Sequence, residues 1–228
     1  MLESINKLMS ENINKFIEQL GNLKESFMYV LARPSTVILL IAILLLCIVF
    51  AKVKNIKFSA KLISQIGLAI ALACVLQVLR VYRWPQGGSV TLGSMVPILF
   101  MGIVYGPSIG LLTGFIFGLL NLILDPFILT PVQMLLDYPL AYMSLGLVGF
   151  FRNSYIKGTI VALFGRFFCH FLSGVIFFGS YAIDAGMTPI PYSLLVNGIF
   201  ISVEGLICII ILKMLPIKRL KTTLIKGV

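Results

Sequence analysis

The strongest constraint on this chain is a series of long apolar stretches, separated by short loops that hold most of its lysines and arginines. A helix of roughly 20 apolar residues crosses the core of a bilayer. Seven stretches approach that length, at residues 36–51, 62–79, 90–105, 108–124, 131–151, 159–181 and 192–215. Because 59% of the residues are hydrophobic and only 11% are charged, the chain has too few polar groups to cover a water-soluble fold. The sequence therefore predicts an all-α integral membrane protein.

The positions of the basic residues predict which loops face the cytoplasm, because loops rich in Lys and Arg stay on that side. Eleven of the 18 basic residues lie in the loops at 52–61 and 152–157 and in the segment 213–226. The opposite loops contain only Arg80 and Arg83 as basic residues. We therefore expect a multi-pass protein of the cell membrane with a cytoplasmic C-terminus. Residues 80–90, 125–130 and 183–191 are then expected outside.

Residues 1–33 follow a different pattern, in which apolar side chains recur every three or four positions between charges. This spacing is typical of an amphipathic helix. An odd number of spans places this helix on the extracellular side, either as an anchor on the membrane surface or against a partner. We expect four segments: the amphipathic helix (1–33), an extra span (34–52), a six-helix substrate-binding domain (58–215) and a basic cytoplasmic tail (216–228).

No motif in the sequence indicates an enzyme, a nucleotide site or a metal site. The four cysteines lie within spans, lack CxxC spacing and are expected to be small apolar residues. Neither a P-loop nor an HExxH or G-x-S-x-G motif occurs. The basic residues follow the span boundaries, so no nucleic-acid partner is expected. We expect no cofactor and no metal, and any energy for uphill transport must come from other proteins.

Ionisable side chains inside spans cost roughly 2.5–3.5 kcal/mol each and are functional candidates. Four occur here: Asp137, Arg166, His170 and Glu204. Arg166 and Glu204 lie toward the cytoplasmic side, where we expect a buried structural ion pair rather than ligand contacts. Asp137 lies nearer the outer side and is expected to bind a ligand. For His170, a ligand contact and a hydrogen bond between helices are equally good explanations.

A group of polar and aromatic residues is predicted to converge in the outer half of the bundle. Asp137 and Tyr138 lie about two turns into the fifth span, next to Pro139, which favours a kink. Other members come from neighbouring spans and one outer loop: Trp84, His170, Phe178, Tyr192 and Asn197. A carboxylate among aromatic rings suits a cation with a flat heterocycle. The Asn197 amide offers both a donor and an acceptor to a ring edge.

Small residues recur every four positions on two of the predicted spans. The second span contains Ala69 and Ala73, and the fourth contains Gly110, Gly114 and Gly118. This spacing permits close approach of another helix. By itself it leaves open whether that helix belongs to a partner or to the same chain.

Four short stretches that contain these residues occur together and in order. They are Trp84-Pro-Gln-Gly-Gly-Ser89, Gln133-Met-Leu-Leu-Asp-Tyr-Pro-Leu-Ala141, Phe168-Cys-His-Phe-Leu-Ser-Gly174 and Tyr192-Ser-Leu-Leu-Val-Asn-Gly198. With this combination the chain resembles, over roughly residues 58–215, the thiamine-specific S component of energy-coupling factor (ECF) transporters.

The resemblance implies a six-helix subunit that binds thiamine at its extracellular side, without catalysis of its own. It implies docking on a transmembrane coupling subunit that works with two cytoplasmic ATPases. The family's binding positions correspond to Trp84, Asp137, Tyr138, His170, Tyr192 and Asn197, and Phe178 replaces a stacking Trp of some members. Ala69 and Ala73 correspond to its docking motif, which favours a partner contact there.

The chain departs from the resemblance at three places. Asp137 replaces a Glu found in some members, Phe178 is smaller than Trp, and residues 1–52 lie outside the six-helix pattern. Two alternatives also remain. The first is an S component for a thiamine precursor or another cationic heterocycle. The second is an intramembrane enzyme that uses Asp137 and His170 as acid and base, although the sequence offers it no activated nucleophile and no metal set.

Overall fold

A computed structural model describes residues 34–53, 56–83, 88–151 and 153–225 of the chain. The chain divides into two compact units, Met1–Ile43 and Leu44–Val228. The boundary lies within helix α1 (Pro34–Val53), which is 20 residues long. The amphipathic helix predicted over residues 1–33 lies outside the described residues, and the predicted segment boundaries remain predictions.

The described part of the second unit is almost entirely helical. After α1 it contains helix α2 (Ala60–Val78), strands β1 (Arg80–Arg83) and β2 (Ser89–Thr91), and helices α3 (Val96–Tyr105), α4 (Pro107–Leu124), α5 (Pro131–Phe151), α6 (Tyr155–Phe177), α7 (Gly179–Asp184), α8 (Pro189–Met214) and α9 (Ile217–Ile225). Within the described ranges, five helices are long and apolar enough to cross a membrane, namely α2, α4, α5, α6 and α8. The predicted class, an all-α membrane protein, is confirmed.

The third predicted span, residues 90–105, is wrong in its first half. Helix α3 has only 10 residues and is therefore about 15 Å long. The preceding residues form β2, which pairs antiparallel with β1, and then a turn at Gly93, whose φ of +91° favours glycine and interrupts a helix. Most of this non-helical segment is buried, and irregular backbone at membrane depth is tolerated where protein covers it.

Two of the loops expected on the outside, 80–90 and 125–130, meet at one end of the bundle, which we call the hairpin end because it contains β1 and β2. Asp125 forms salt bridges with Arg80 at 2.6 Å and Arg83 at 2.5 Å. At the opposite end, the hydroxyl of Tyr105 donates to Gln65 and approaches the carbonyl oxygen of Leu224 in α9. The predicted grouping of loops agrees with these contacts, and their orientation in the membrane remains a prediction.

Helices α4 and α5 approach each other backbone to backbone. A Cβ on Gly118 would lie 2.6 Å from the carbonyl oxygen of Tyr138, and one on Gly114 would overlap the carbonyl of Tyr142. A Cβ on Gly110 would lie 2.7 Å from the Cα of Gly102 in α3. The glycines of the fourth span therefore serve packing within the chain.

Helix α5 changes its winding where it meets the candidate site. It starts with Thr130, whose hydroxyl accepts from the backbone NH of Gln133 at 3.1 Å, as an N-cap does. Residues Leu136–Leu140 form one wide π-helical turn that contains Pro139, which lacks a backbone NH. Such turns occur often at functional sites. The predicted distortion beside Pro139 is therefore present, and it places Asp137 and Tyr138 on the widened turn.

Candidate functional site

A cavity at the hairpin end collects the predicted site residues. The space between its walls is about 800 Å³ when the open solvent at its mouth is included. All six described candidates line it: Asp137, Tyr138, His170, Phe178, Tyr192 and Asn197. Trp84 lies outside the described residues, but Arg83 and Gly88 on either side of that gap line the cavity.

Three side chains hold the Asp137 carboxylate in place. Oδ1 lies 2.9 Å from Nδ1 of His170. Oδ2 accepts from Nε2 of Gln133 at 2.6 Å and from the hydroxyl of Ser173 at 2.8 Å. Gln133 lies one turn before Asp137 on α5, whereas His170 and Ser173 both belong to α6. The carboxylate is thus fixed between two helices while it borders the cavity.

Asp137 differs from the other carboxylates near the cavity in its partners. Asp125 pairs with two arginines, and Glu204 pairs with Arg166. Among the described residues, the ion-pair partner of Asp137 is His170. When that imidazole is neutral, its Nδ1–H donates to Asp137 and the carboxylate keeps an uncompensated negative charge.

The rings of Phe127 and Phe178 form part of the cavity wall. Phe178 stacks on Phe127 with ring centres 5.8 Å apart and planes 19° apart, and Tyr181 lies 5.7 Å from Phe178. Tyr138 fixes the loop that contains Phe127, because its hydroxyl donates to the carbonyl oxygen of Asp125 at 2.8 Å and accepts from the backbone NH of Phe127 at 2.7 Å. The phenol oxygen of Tyr138 therefore has a structural partner, while its ring lines the cavity.

Asn197 connects α8 to α6 beside the cavity. Its Nδ2 donates to the carbonyl oxygen of His170 at 3.2 Å and to the hydroxyl of Ser193 at 3.0 Å. Ser193 in turn donates to the carbonyl oxygen of Phe171 at 2.8 Å. A Cβ on Gly174 would overlap Ser193, so this glycine permits the close approach of the two helices.

The expected ion pair between Arg166 and Glu204 is confirmed. Nη1 of Arg166 lies 3.2 Å from Oε2 of Glu204, and the residues are 3% and 0% exposed. Glu204 Oε1 accepts from the hydroxyls of Thr91 at 2.6 Å and Ser94 at 3.2 Å. These contacts satisfy the carboxylate and hold the irregular segment between β2 and α3 against α8, which is the condition under which a buried pair is tolerated.

Four buried side-chain atoms in the described ranges have no hydrogen-bond partner. They are Oε1 of Gln77, Oδ1 of Asn121, Nε of Arg166 and Nε2 of His170. All four residues line the cavity. Buried polar atoms without partners are rare in proteins and need an explanation, and here they provide both donors and acceptors to an occupant of the cavity.

Sequence reasoning missed several residues that line this cavity, among them Gln77, Asn121, Phe127, Gln133 and Tyr142, and also Ser173, which donates to Asp137. The four-residue spacing from Gln133 to Asp137, and the three-residue spacing from His170 to Ser173, could have identified two of them. Asn121 and Tyr142 give no such local indication, because they meet only when α4 packs on α5.

The two alanines of the predicted docking motif differ in exposure. Ala69 is half-buried, but Ala73 is completely buried within the core of the bundle. On the exposed side of α2, Gly67 and Ala71 are small residues at the same four-residue spacing, and a Cβ on Gly67 would meet nothing within 4 Å. The methyl group of Ala73 therefore belongs to internal packing.

Comparison with known proteins gives a consistent result. The model of a family described as thiamine transporter protein matches residues 63–224. The thiamine transporter ThiT of Bacillus subtilis is 33% identical over 179 residues, which cover 69% of this chain and 92% of the relative. The thiamine transporter ThiT of Lacticaseibacillus paracasei is 33% identical over 124 residues, which cover 46% of this chain and 61% of that relative.

The matched region includes α4, α5, α6 and α8, which contribute most of the residues around the cavity. The resemblance inferred from four short stretches is confirmed at the level of the family. With its apolar helices, the protein is a multi-pass membrane protein, and the chain belongs to the thiamine transporter protein family.

Proposed function

We propose that this chain is the thiamine-binding S component of an ECF-type uptake transporter. It captures thiamine in the cavity at the hairpin end, which faces the outside. The observation that supports this most directly is that six residues predicted from the sequence line one cavity, where Asp137 is a carboxylate without an arginine partner among the described residues.

The charge and the rings suit the two halves of thiamine. Its thiazolium is a permanent cation, which Asp137 attracts at low dielectric constant. Phe178 and Phe127 offer faces for stacking and cation–π contact. The cavity therefore favours a cationic heterocycle over a neutral molecule of the same shape.

The polar atoms at the cavity wall suit the aminopyrimidine. With Nδ1 of neutral His170 directed to Asp137, Nε2 has a lone pair that can accept an NH of the ligand. Asn197 uses its Nδ2 within the protein, so its amide oxygen is the group available to the ligand. In place of the expected donor and acceptor, Asn197 then offers the ligand an acceptor.

For the transport cycle we adopt the steps that the resemblance to ECF-type S components implies. The loop that contains Trp84 closes over bound thiamine, and the loaded subunit docks on a transmembrane coupling subunit with two cytoplasmic ATPases. ATP hydrolysis by these partners supplies the energy for release inside. For docking we propose the exposed side of α2, where Ala69 is joined by Gly67 and Ala71, because Ala73 is covered by its own bundle.

The fluorescence of purified protein tests thiamine binding, because Trp84 is the single tryptophan of the chain. Thiamine at micromolar concentration should quench this emission in a saturable way, and equilibrium dialysis should give the same dissociation constant. Absence of binding in both measurements would refute the proposal. Co-purification of the full chain from its native membrane, analysed by mass spectrometry, tests the partners separately, since it should reveal a membrane subunit and two ATPases.

A further inference from the structure

The polar residues around the cavity lie in two layers along the bundle axis. The outer layer contains Asp137 and His170. On α6, Arg166 precedes His170 by four residues, which places it about 6 Å farther from the hairpin end. Tyr142 likewise follows Tyr138 by four residues on α5, and its phenol oxygen contacts Arg166 and the side chain of Asn121 from α4. We call these three side chains the inner layer.

The inner layer is held together by its own hydrogen bonds. The phenol oxygen of Tyr142 accepts from Nδ2 of Asn121 at 3.1 Å and from Nη2 of Arg166 at 3.2 Å. The guanidinium of Arg166 also lies over the Tyr142 ring, 4.4 Å from its centre. These contacts fix the orientation of all three side chains before any ligand arrives.

Two atoms of this layer remain available to a ligand. Oδ1 of Asn121 is an acceptor and the Nε–H of Arg166 is a donor, and neither has a partner in the described part of the protein. Asn121 is 5% exposed and Arg166 is 3% exposed, and both line the cavity. Leaving such groups unpaired costs about 1–3 kcal/mol each, so a ligand group that satisfies both gains a large advantage.

We propose that Asn121, Tyr142 and Arg166 form an inner subsite that binds one uncharged group of the ligand, a group that donates one hydrogen bond and accepts another. The inference rests on the proposed binding of thiamine, whose alcohol and whose aminopyrimidine edge both have this chemistry. Tyr142 is a positioning residue, since its oxygen aligns the other two. Glu204 compensates the charge of Arg166 at 3.2 Å, so the subsite does not favour an anion.

The test compares thiamine with two analogues in the full-length protein. One analogue has an ethyl group in place of the hydroxyethyl group, and the other has hydrogen in place of the pyrimidine amino group. Dissociation constants are measured for the natural sequence, Asn121→Leu and Tyr142→Phe. Thr113→Val is the matched control, because Thr113 is a buried polar residue of α4 that bonds to the Ile109 carbonyl and does not line the cavity.

For one of the two analogues, we expect binding at least about tenfold weaker than that of thiamine in the natural sequence and in Thr113→Val. In Asn121→Leu and Tyr142→Phe this penalty should shrink to within about twofold, because the partner of the missing group is gone or misaligned. The analogue that shows the effect identifies the end of thiamine that reaches the subsite. An unchanged penalty for both analogues in both variants overturns the inference.

Two further measurements are made on the natural sequence, and a variant is needed only to assign one resonance. Bound thiamine should shift the ¹⁵N resonance of the Arg166 Nε, assigned with Arg166→Lys, and an unshifted resonance at saturation contradicts the subsite. Thiamine monophosphate should bind no more tightly than thiamine, whereas tighter binding would show an anion site instead. If thiamine itself does not bind, the proposed function fails first, which separates the two failures.

Discussion

The carboxylate of Asp137 on α5 lies 2.9 Å from Nδ1 of His170 on α6, and this pair connects the two helices at the wall of the cavity. Both side chains are 13% exposed, so neither is shielded from an occupant. The pair therefore serves two purposes, since it orients the imidazole and presents a carboxylate whose charge no arginine cancels.

Removing this charge should abolish high-affinity binding. In Asp137→Asn we expect thiamine affinity to fall by about 100-fold or more, because truncating one member of a buried charge contact costs about 2–5 kcal/mol. Asp137→Glu keeps the charge and should stay within about tenfold of the natural affinity. Isothermal titration calorimetry measures both, and equal losses in the two variants would show that size rather than charge matters at this position.

The stacked ring of Phe178 should contribute to ligand affinity. We expect Phe178→Ala to weaken thiamine binding about tenfold, because it removes a stacking face worth roughly 0.5–1.5 kcal/mol beyond its buried area. Phe164→Ala on α6, the helix that ends just before Phe178, is the control, since Phe164 is 64% exposed and does not line the cavity. If equilibrium dialysis gives the same loss for both substitutions, the ring stack has no specific role.

The salt bridges of Asp125 should keep the hairpin closed over the ligand. In Arg80→Met we expect thiamine to dissociate about threefold to fivefold faster, because the partly buried contact at 2.6 Å no longer fixes β1 to the loop after α4. Arg83→Met should have a smaller effect, since its side chain is 53% exposed and exposed pairs contribute little. Stopped-flow fluorescence measures these dissociation rates. A larger effect for Arg83→Met than for Arg80→Met would show that the exposed salt bridge, rather than the partly buried one, holds the hairpin.

The close contact of α4 with α5 should make Gly114 sensitive to the smallest substitution. We expect Gly114→Ala to reduce stability by about 1–3 kcal/mol, as overpacking of a core does. Gly67→Ala should be neutral or slightly stabilising, because a Cβ there meets nothing within 4 Å and alanine favours helix. Thermal unfolding in detergent compares the two, and an unchanged midpoint for Gly114→Ala would contradict the contact.

The sequence was sufficient for the class of fold and for most spans, because the length of an uncharged apolar stretch is a direct measure of its ability to cross a bilayer. It failed at residues 90–95, because a short stretch with β-branched residues such as Val90 and Thr91 fits a buried strand as well as the start of an apolar helix. Burial of Ala73 was missed for a related reason, since spacing along a helix does not tell which side faces the bundle.

The sequence identifies candidate site residues where a side chain is costly in a membrane, and it misses cavity-lining residues that are not. Asp137 and His170 stand out because ionisable groups in spans need a reason. Neutral polar residues such as Asn121 and Gln133 cost less free energy in a membrane, and only their hydrogen-bond partners in the folded structure show that they belong to the site. Many of those partners lie on other helices, so their distances depend on how the helices pack and are not visible in the sequence.

The glycine contacts between α4 and α5 have a mechanical consequence. The main chains of these helices touch along several turns, so no side chains lie between them there. Rotamer changes therefore cannot let one helix slide along the other. The two helices therefore form one rigid unit, which contains Asp137, Tyr138 and Asn121. Any motion that admits or releases a ligand is then expected in other elements that line the cavity, such as the hairpin and α8.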